Sequence, residues 1–171
     1  MVQMSFSDDT TGKTTSASGH RPAQDTPPSA GKRGFDASCP DIIYTSRYSN
    51  KAIATSGLVA VRVTRMPPRW KLPYTTVGCL DLAPTFEMLK AAKLPGGAKV
   101  FDDAFEDILG RLDPKAIAKK LKDIQMTKPD ARGVVLLCYE DVRVPGTRCH
   151  RLQVARWLGE KLGITVAELE E

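Results

Sequence analysis

From Gly133 the chain reads GVVLLCYE, and Val134 to Leu137 form an uninterrupted apolar run. A strand that is apolar on both faces belongs inside a sheet covered on both sides, so this segment predicts a central strand. Leu58 to Arg65 (LVAVRVTR) opens in the same way and predicts another. MPPRW stops it, because proline cannot donate to a central ladder. Asp41 to Ser46, with β-branched and aromatic residues, predicts a short first strand. SNKAIATSG reads as an irregular or amphipathic link, and KLPYTTVGCLDL as a loop with room for a short edge strand.

Elsewhere the apolar positions recur at helical spacing. In APTFEMLKAAK, Pro84 stands near the N-terminus, Phe86, Leu89 and Lys93 share a face, and LPGG ends the helix. VFDDAFEDILGRL sets Phe101, Phe105, Ile108 and Leu112 on one stripe. DPKAIAKKLKDI starts with Asp113 as N-cap and Pro114 at the first position, with Ile117, Leu121 and Ile124 inward. After the loop TKPDARG, the strong strand and the loop DVRVPGTR, CHRLQVARWLGEKLG predicts a helix. Its stripe is Leu152, Ala155, Leu158 and Leu162, and Gly163 is its stop. ITVAEL has the composition of a last strand. Strands alternate with helices, and no internal repeat is visible. The expected fold class is α/β, a small three-layer domain with a mostly parallel, Rossmann-like sheet, over residues 41–171.

Residues 1–40 carry almost no aliphatic pattern and are rich in Ser, Thr, Gly, Pro, Asp and Lys. They cannot bury enough apolar surface to offset the ordering entropy and read as a disordered tail. His20 falls within it, as does GKRGF (Gly31 to Phe35), which lacks phosphate-loop spacing. The tail's Lys13, Arg21, Lys32 and Arg33 balance Asp8, Asp9, Asp25 and Asp36, so the net charge of +5 resides in residues 41–171. That excess suits anionic partners, such as a small molecule, a nucleotide or nucleic acid, as well as an ordinary lysine-rich surface. No stretch approaches the roughly 20 apolar residues of a membrane span. The N-terminus lacks the apolar core of a secretory signal, so the expected location is cytoplasmic and no membrane partner is expected. Four cysteines, Cys39, Cys79, Cys138 and Cys149, are too few and too scattered for a disulfide scaffold.

Ligands of open parallel sheets sit beyond the carboxyl ends of the strands. Here those ends deliver Ser46 and Arg47, then Arg69 and Trp70 after the second strand, then Cys138, Tyr139 and Glu140. Cys149, His150 and Arg151 open the following helix, whose first amides carry partial positive charge. The candidate catalytic residues are therefore Cys138, Glu140, Cys149 and His150. The candidate anion- and substrate-binding residues are Ser46, Arg47, Arg69, Trp70 and Arg151. Three chemistries compete. Arg151 and the helix end suit anion recognition, the preferred reading. Cys149 beside His150 suits a thiol nucleophile. Zinc has permitted ligands in Cys138, Glu140, Cys149 and His150, but there is no paired-cysteine knuckle, and adjacent Cys149 and His150 are expected to point apart, so no metal is assigned. The plain alternatives are a small buried hydrophobe at Cys138, a capping His150 and a Trp70 folded over the core. No cofactor follows from the residues.

The string LLCYE, then CHR, then VARWL and LGITVAEL resembles the C-terminal signature of the bacterial and phage family called domain of unknown function 488. IYTSRY, PPRW and LAPTFEMLK are similar to one subgroup of it, and the likeness spans about residues 41–168. The resemblance implies a small α/β domain with a site around Cys138, Glu140, Cys149, His150 and Arg151, and no particular reaction. The loop between Glu140 and Cys149 is longer and more basic than that family's pattern. The functional expectation is an enzyme that binds and modifies a nucleotide, a nucleic-acid base or a similar phosphorylated substrate. The alternative is a non-catalytic module binding nucleotide, nucleic acid or protein, with zinc as a stabiliser.

Overall fold

Five parallel strands form one sheet in the order β3-β2-β4-β1-β5. They are β1 (Ile43–Arg47), β2 (Leu58–Arg62), β3 (Thr76–Gly78), β4 (Gly133–Cys138) and β5 (Val166–Glu168). The helices are α1 (Phe86–Ala91), α2 (Gly97–Arg111), α3 (Pro114–Met126) and α4 (His150–Leu162). This computed structural model describes residues 38–171, all within one compact unit, Gly34–Glu171. The expected tail, with His20 and the Gly31–Phe35 segment, lies outside the described residues apart from its last three positions. Of these, Cys39 is buried against the core, so ordered packing begins before position 41.

The apolar run Val134–Leu137 is the middle of the sheet, as its two-sided burial requires. In register, Val134 lies beside Ile43 on one side and Val59 on the other. Alternate residues then divide the core. Ile43, Val59, Val61, Val134 and Leu136 face the α-helices, where Phe105, Leu121 and Leu158 meet them. Leu58, Ala60, Val135 and Leu137 face the other way and are covered by Tyr48, by Ile53 of a short 3-10 helix (Lys51–Thr55), and by Leu72 and Tyr74. The link SNKAIATSG and the loop after β2 therefore supply the thin third layer. Each fully buried Val, Leu or Phe in these layers contributes about 1.5–3 kcal/mol relative to exposure.

Asp113 caps α3 through Lys115 N with Pro114 at the first position, and Gly163 ends α4 in the left-handed region, as the sequence predicts. Other details differ. α1 is one short helix capped by Thr85; Met88 packs inward, while Phe86 and Leu89 stay exposed. In α2, Phe105 and Leu109 are the buried pair, with Phe101, Ile108 and Leu112 at the margin. In α4, Leu152 is exposed, and His150, Arg151, Val154, Trp157 and Leu158 turn inward. β2 ends at Arg62, whose guanidinium braces the turn by donating to the carbonyls of Thr64 and Arg65. Among the described residues, no helix is long and apolar enough to cross a membrane.

Candidate functional site

All five strands point the same way, so the carboxyl ends of β1, β2, β4 and β5 share one rim, and α4 begins there after the loop that follows β4. Cys138 closes β4 with its side chain on the helix-covered face. Cys149 is the N-cap of α4 in extended geometry (φ −149°, ψ 129°), and His150 is the first helical residue. That change of backbone between consecutive positions lets both side chains turn toward Cys138, contrary to the expectation that they point apart. The Sγ atoms of Cys138 and Cys149 and one ring nitrogen of His150 lie within 4.8 Å of one another. These atoms are near enough to one another for a single ion to join all three.

Glu140 joins the two thiols. Its Oε2 accepts from Cys138 Sγ at 2.9 Å and from Cys149 Sγ at 3.0 Å. Burial pushes the Glu140 carboxyl up, but the two thiol bonds hold it on balance below the usual range. The neighbouring Cys149 sulfur, followed by burial, pushes the Cys138 thiol far up, so it stays protonated. His150 Nε2 lies 2.8 Å from the carbonyl oxygen of Val63, just past β2. A carbonyl only accepts, so Nε2 carries the proton and Nδ1 presents a lone pair toward Cys138 Sγ, 3.6 Å away. Burial lowers the pKa of His150, favouring the neutral ring, which stands edge-on to Phe105 with centroids 5.2 Å apart.

Arg151 is fully buried beneath this group. Its Nη1 donates to the Glu140 carbonyl (2.7 Å) and to Cys149 Sγ (3.2 Å). Its Nη2 and Nε donate to Glu168 at the end of β5, at 2.9 and 3.3 Å. Thr45 Oγ1 donates to the same Glu168 at 2.6 Å. Thr45, Val63 and Glu168 are the site residues that sequence reasoning missed. Glu168 was within reach of the strand-exit rule, since it ends β5.

The remaining candidates separate from this centre. Ser46 lies on the opposite face from Thr45, where its Oγ accepts from Asn50. Arg47 is taken up by Asp141 and Glu171. Ser46 and Arg47 line a cavity of about 270 Å³ together with Asn50, Asp141, Arg143 and the C-terminal residues. Arg69 and Trp70 are exposed beyond β2, and Trp70 meets Tyr139 edge-on at 6.0 Å instead of folding over the core. Tyr139 in turn packs against the buried Tyr48 at 5.0 Å. The rim thus carries a buried thiol–imidazole–carboxylate centre, a polar cavity beside β1, and an exposed aromatic and cationic ridge. All four cysteines are buried thiols.

No family model matches this chain, and no curated protein or solved structure matches it. The likeness to domain of unknown function 488 rests on the residues quoted for it.

Proposed function

We propose that the protein is an enzyme that binds a nucleotide, a nucleic-acid base or a similar phosphorylated molecule at the carboxyl rim of its sheet and modifies it at Glu140. The observation that carries this reading is the double position of Glu140. Its Oε2 is held by two buried thiols, while the residue itself is exposed and directly follows Tyr139, the partner of Trp70. An exposed tryptophan and tyrosine with Arg69 nearby suit a planar base and its phosphate. A carboxylate held ionised can accept a hydrogen bond from a ligand N–H or O–H and stabilise positive charge that develops on it. The first amides of α4 add positive potential behind the carboxylate.

A second reading has its own support. Arg151 is wholly buried and neutralised by Glu168. A centre so enclosed also suits a non-catalytic module, in which the thiols and imidazole pin α4 to the sheet. One experiment separates the two. The intact protein is titrated at low salt with a panel of nucleotides and short oligonucleotides, and the recovered ligand is examined by mass spectrometry. Chemical change that Glu140→Gln abolishes supports the enzyme. Unchanged ligand bound alike by both proteins supports the module. No binding at low salt removes both nucleotide readings.

A further inference from the structure

We infer that Cys138, Cys149 and His150 bind a zinc ion through their two Sγ atoms and Nδ1, with the fourth corner open beside Glu140. The argument is a count of protons. The centre offers four acceptor atoms, two sulfurs, Glu140 Oε2 and His150 Nδ1, and the protons directed into it are those of the two thiols and one that Arg151 Nη1 donates to Cys149 Sγ. Both thiols point at Glu140. Because Nε2 holds the imidazole proton against Val63, the partner of Nδ1 is the Cys138 thiol at 3.6 Å, whose one proton is shared with Glu140. His150 is 7% exposed, so water does not readily supply a second donor. A cation can stand in for it.

The distances agree with this. Bonds of about 2.3 Å to sulfur and 2.0–2.1 Å to nitrogen in a tetrahedron put neighbouring ligand atoms about 3.5–3.8 Å apart. The Cys138–His150 separation is 3.6 Å. The Val63 carbonyl does for His150 what a carbonyl or carboxylate commonly does for a metal-bound imidazole: it fixes the tautomer and the ring. Two thiolates and an imidazole suit zinc better than magnesium or calcium, which prefer oxygen.

The charge balances. The ion enters with two positive charges, the two thiols lose two protons to solvent, and two zinc–sulfur bonds form. The net charge of the centre is unchanged, so no new uncompensated charge is buried. Arg151 Nη1, 3.2 Å from Cys149 Sγ, also steadies a thiolate there. Glu140 Oε2, at 2.9 and 3.0 Å from the sulfurs, is closer than a fourth tetrahedral ligand would stand. Once the thiol protons leave, the carboxylate is repelled outward, toward the side on which Glu140 is exposed. The vacated corner then takes a water within reach of that carboxylate. Three protein ligands with an open corner and a neighbouring proton acceptor form a hydrolytic arrangement. This last step rests on the enzyme reading above; the zinc site itself does not.

The test uses the full chain, purified under reducing conditions, stripped with a chelator, reloaded with zinc chloride and desalted. Elemental analysis is expected to find about one zinc per chain. Cobalt substitution is expected to give thiolate-to-cobalt charge-transfer absorption and the visible bands of a tetrahedral ion. Cys138→Ser and Cys149→Ser should each weaken zinc binding about 100-fold or more, and Glu140→Gln should retain the ion. Because a buried serine can unfold the chain, a variant-free arm is included. Alkylation mapped by mass spectrometry should slow at Cys138 and Cys149 when zinc is present and stay unchanged at Cys39 and Cys79. A folded chain that holds no zinc, or that holds zinc without protecting Cys138 and Cys149, overturns the site. Loss of zinc from a folded Glu140→Gln chain overturns the open corner. Zinc bound without any nucleotide binding removes only the substrate reading, and nucleotide binding without zinc removes only this one.

Discussion

Arg151 and Glu168, 17 residues apart, meet under α4 through two N–H···O bonds of 2.9 and 3.3 Å. The arginine is entirely buried and the glutamate side chain is 30% exposed. A buried pair of this kind contributes little compared with a well-packed apolar one, but breaking it leaves a charge without compensation. Glu168→Ala is therefore expected to cost about 3 kcal/mol, near the lower end for such pairs because the glutamate keeps some solvent. The double variant Arg151→Met with Glu168→Leu should recover most of that loss. Urea denaturation of the three proteins decides it. Equal losses in the single and double variants would mean the pair acts through shape, not charge.

Tyr74 and Tyr48 tie the loop after β2 to the sheet. Tyr74 Oη donates to the carbonyl of Tyr48 at 2.6 Å. Thr64 Oγ1 gives its proton to Met66 O, so Tyr48 Oη is the donor in its 2.6 Å bond to Thr64. Burial pushes the Tyr74 hydroxyl up to about 12 and raises that of Tyr48 as well. Ordinary tyrosine in the unfolded chain ionises near pH ~10. The folded pKa is the higher one, so the stabilisation is complete below about pH 10 and is lost as the pH rises toward the folded values. The unfolding midpoint should therefore fall steeply above about pH 10. Tyr74→Phe should flatten that fall while starting from a lower midpoint. A midpoint independent of pH in this range would show that these hydroxyls do not titrate differently on folding.

The pattern of apolar residues disclosed β4 because burial on both faces leaves a mark that no surface strand carries. It disclosed α3 because Asp113 and Pro114 are local signals that need no tertiary partner. It misjudged α1, since six residues make barely two turns and cannot settle which face is inward. In α4 it placed Leu158 and Leu162 inward correctly and misplaced Leu152, for a different reason. The inward face there begins with His150 and Arg151, whose polarity hides their burial until Val63 and Glu168 come within bonding distance. The site was legible as a place, through the strand-exit rule that found Cys138 and Glu140. Its composition was not, because Ser46 falls on the opposite face by the two-residue alternation of β1, and Arg47 finds Asp141 and Glu171. The turning of Cys149 and His150 toward one sulfur depends on an N-cap dihedral that residue types alone do not specify.

Gly133 begins β4 where the chain runs close against Ile42. A Cβ there would stand 2.2 Å from the carbonyl oxygen of Ile42. That same oxygen accepts from Val134 N at 2.9 Å. Alanine would therefore force the strand away from the oxygen it is bonded to, at the head of the central strand. Gly133→Ala is expected to destabilise the fold by about 2–3 kcal/mol, the range for overpacking with loss of a ladder bond. By contrast, Gly110→Ala on α2 meets no atom within 4 Å and should stabilise by a few tenths to about 1 kcal/mol. Comparing the two by thermal denaturation tests the register of β1 against β4 directly.

Trp70 and Arg69 allow the substrate reading to be tested apart from the fold. Trp70 is 51% exposed and touches the rim through Tyr139, so Trp70→Ala should change stability by less than about 1 kcal/mol. If a base stacks there, the same change should weaken nucleotide or oligonucleotide binding about tenfold or more. Arg69→Ala should weaken it too, and should reduce the salt dependence of binding by about one counterion, as removal of a single phosphate contact requires. The buried Trp157 remains as a fluorescent reporter of folding in the Trp70 variant. If Trp70→Ala and Arg69→Ala bind the panel as the parent chain does, the aromatic ridge is not the recognition surface. The cavity lined by Ser46, Arg47 and Arg143 then becomes the place to look for the ligand.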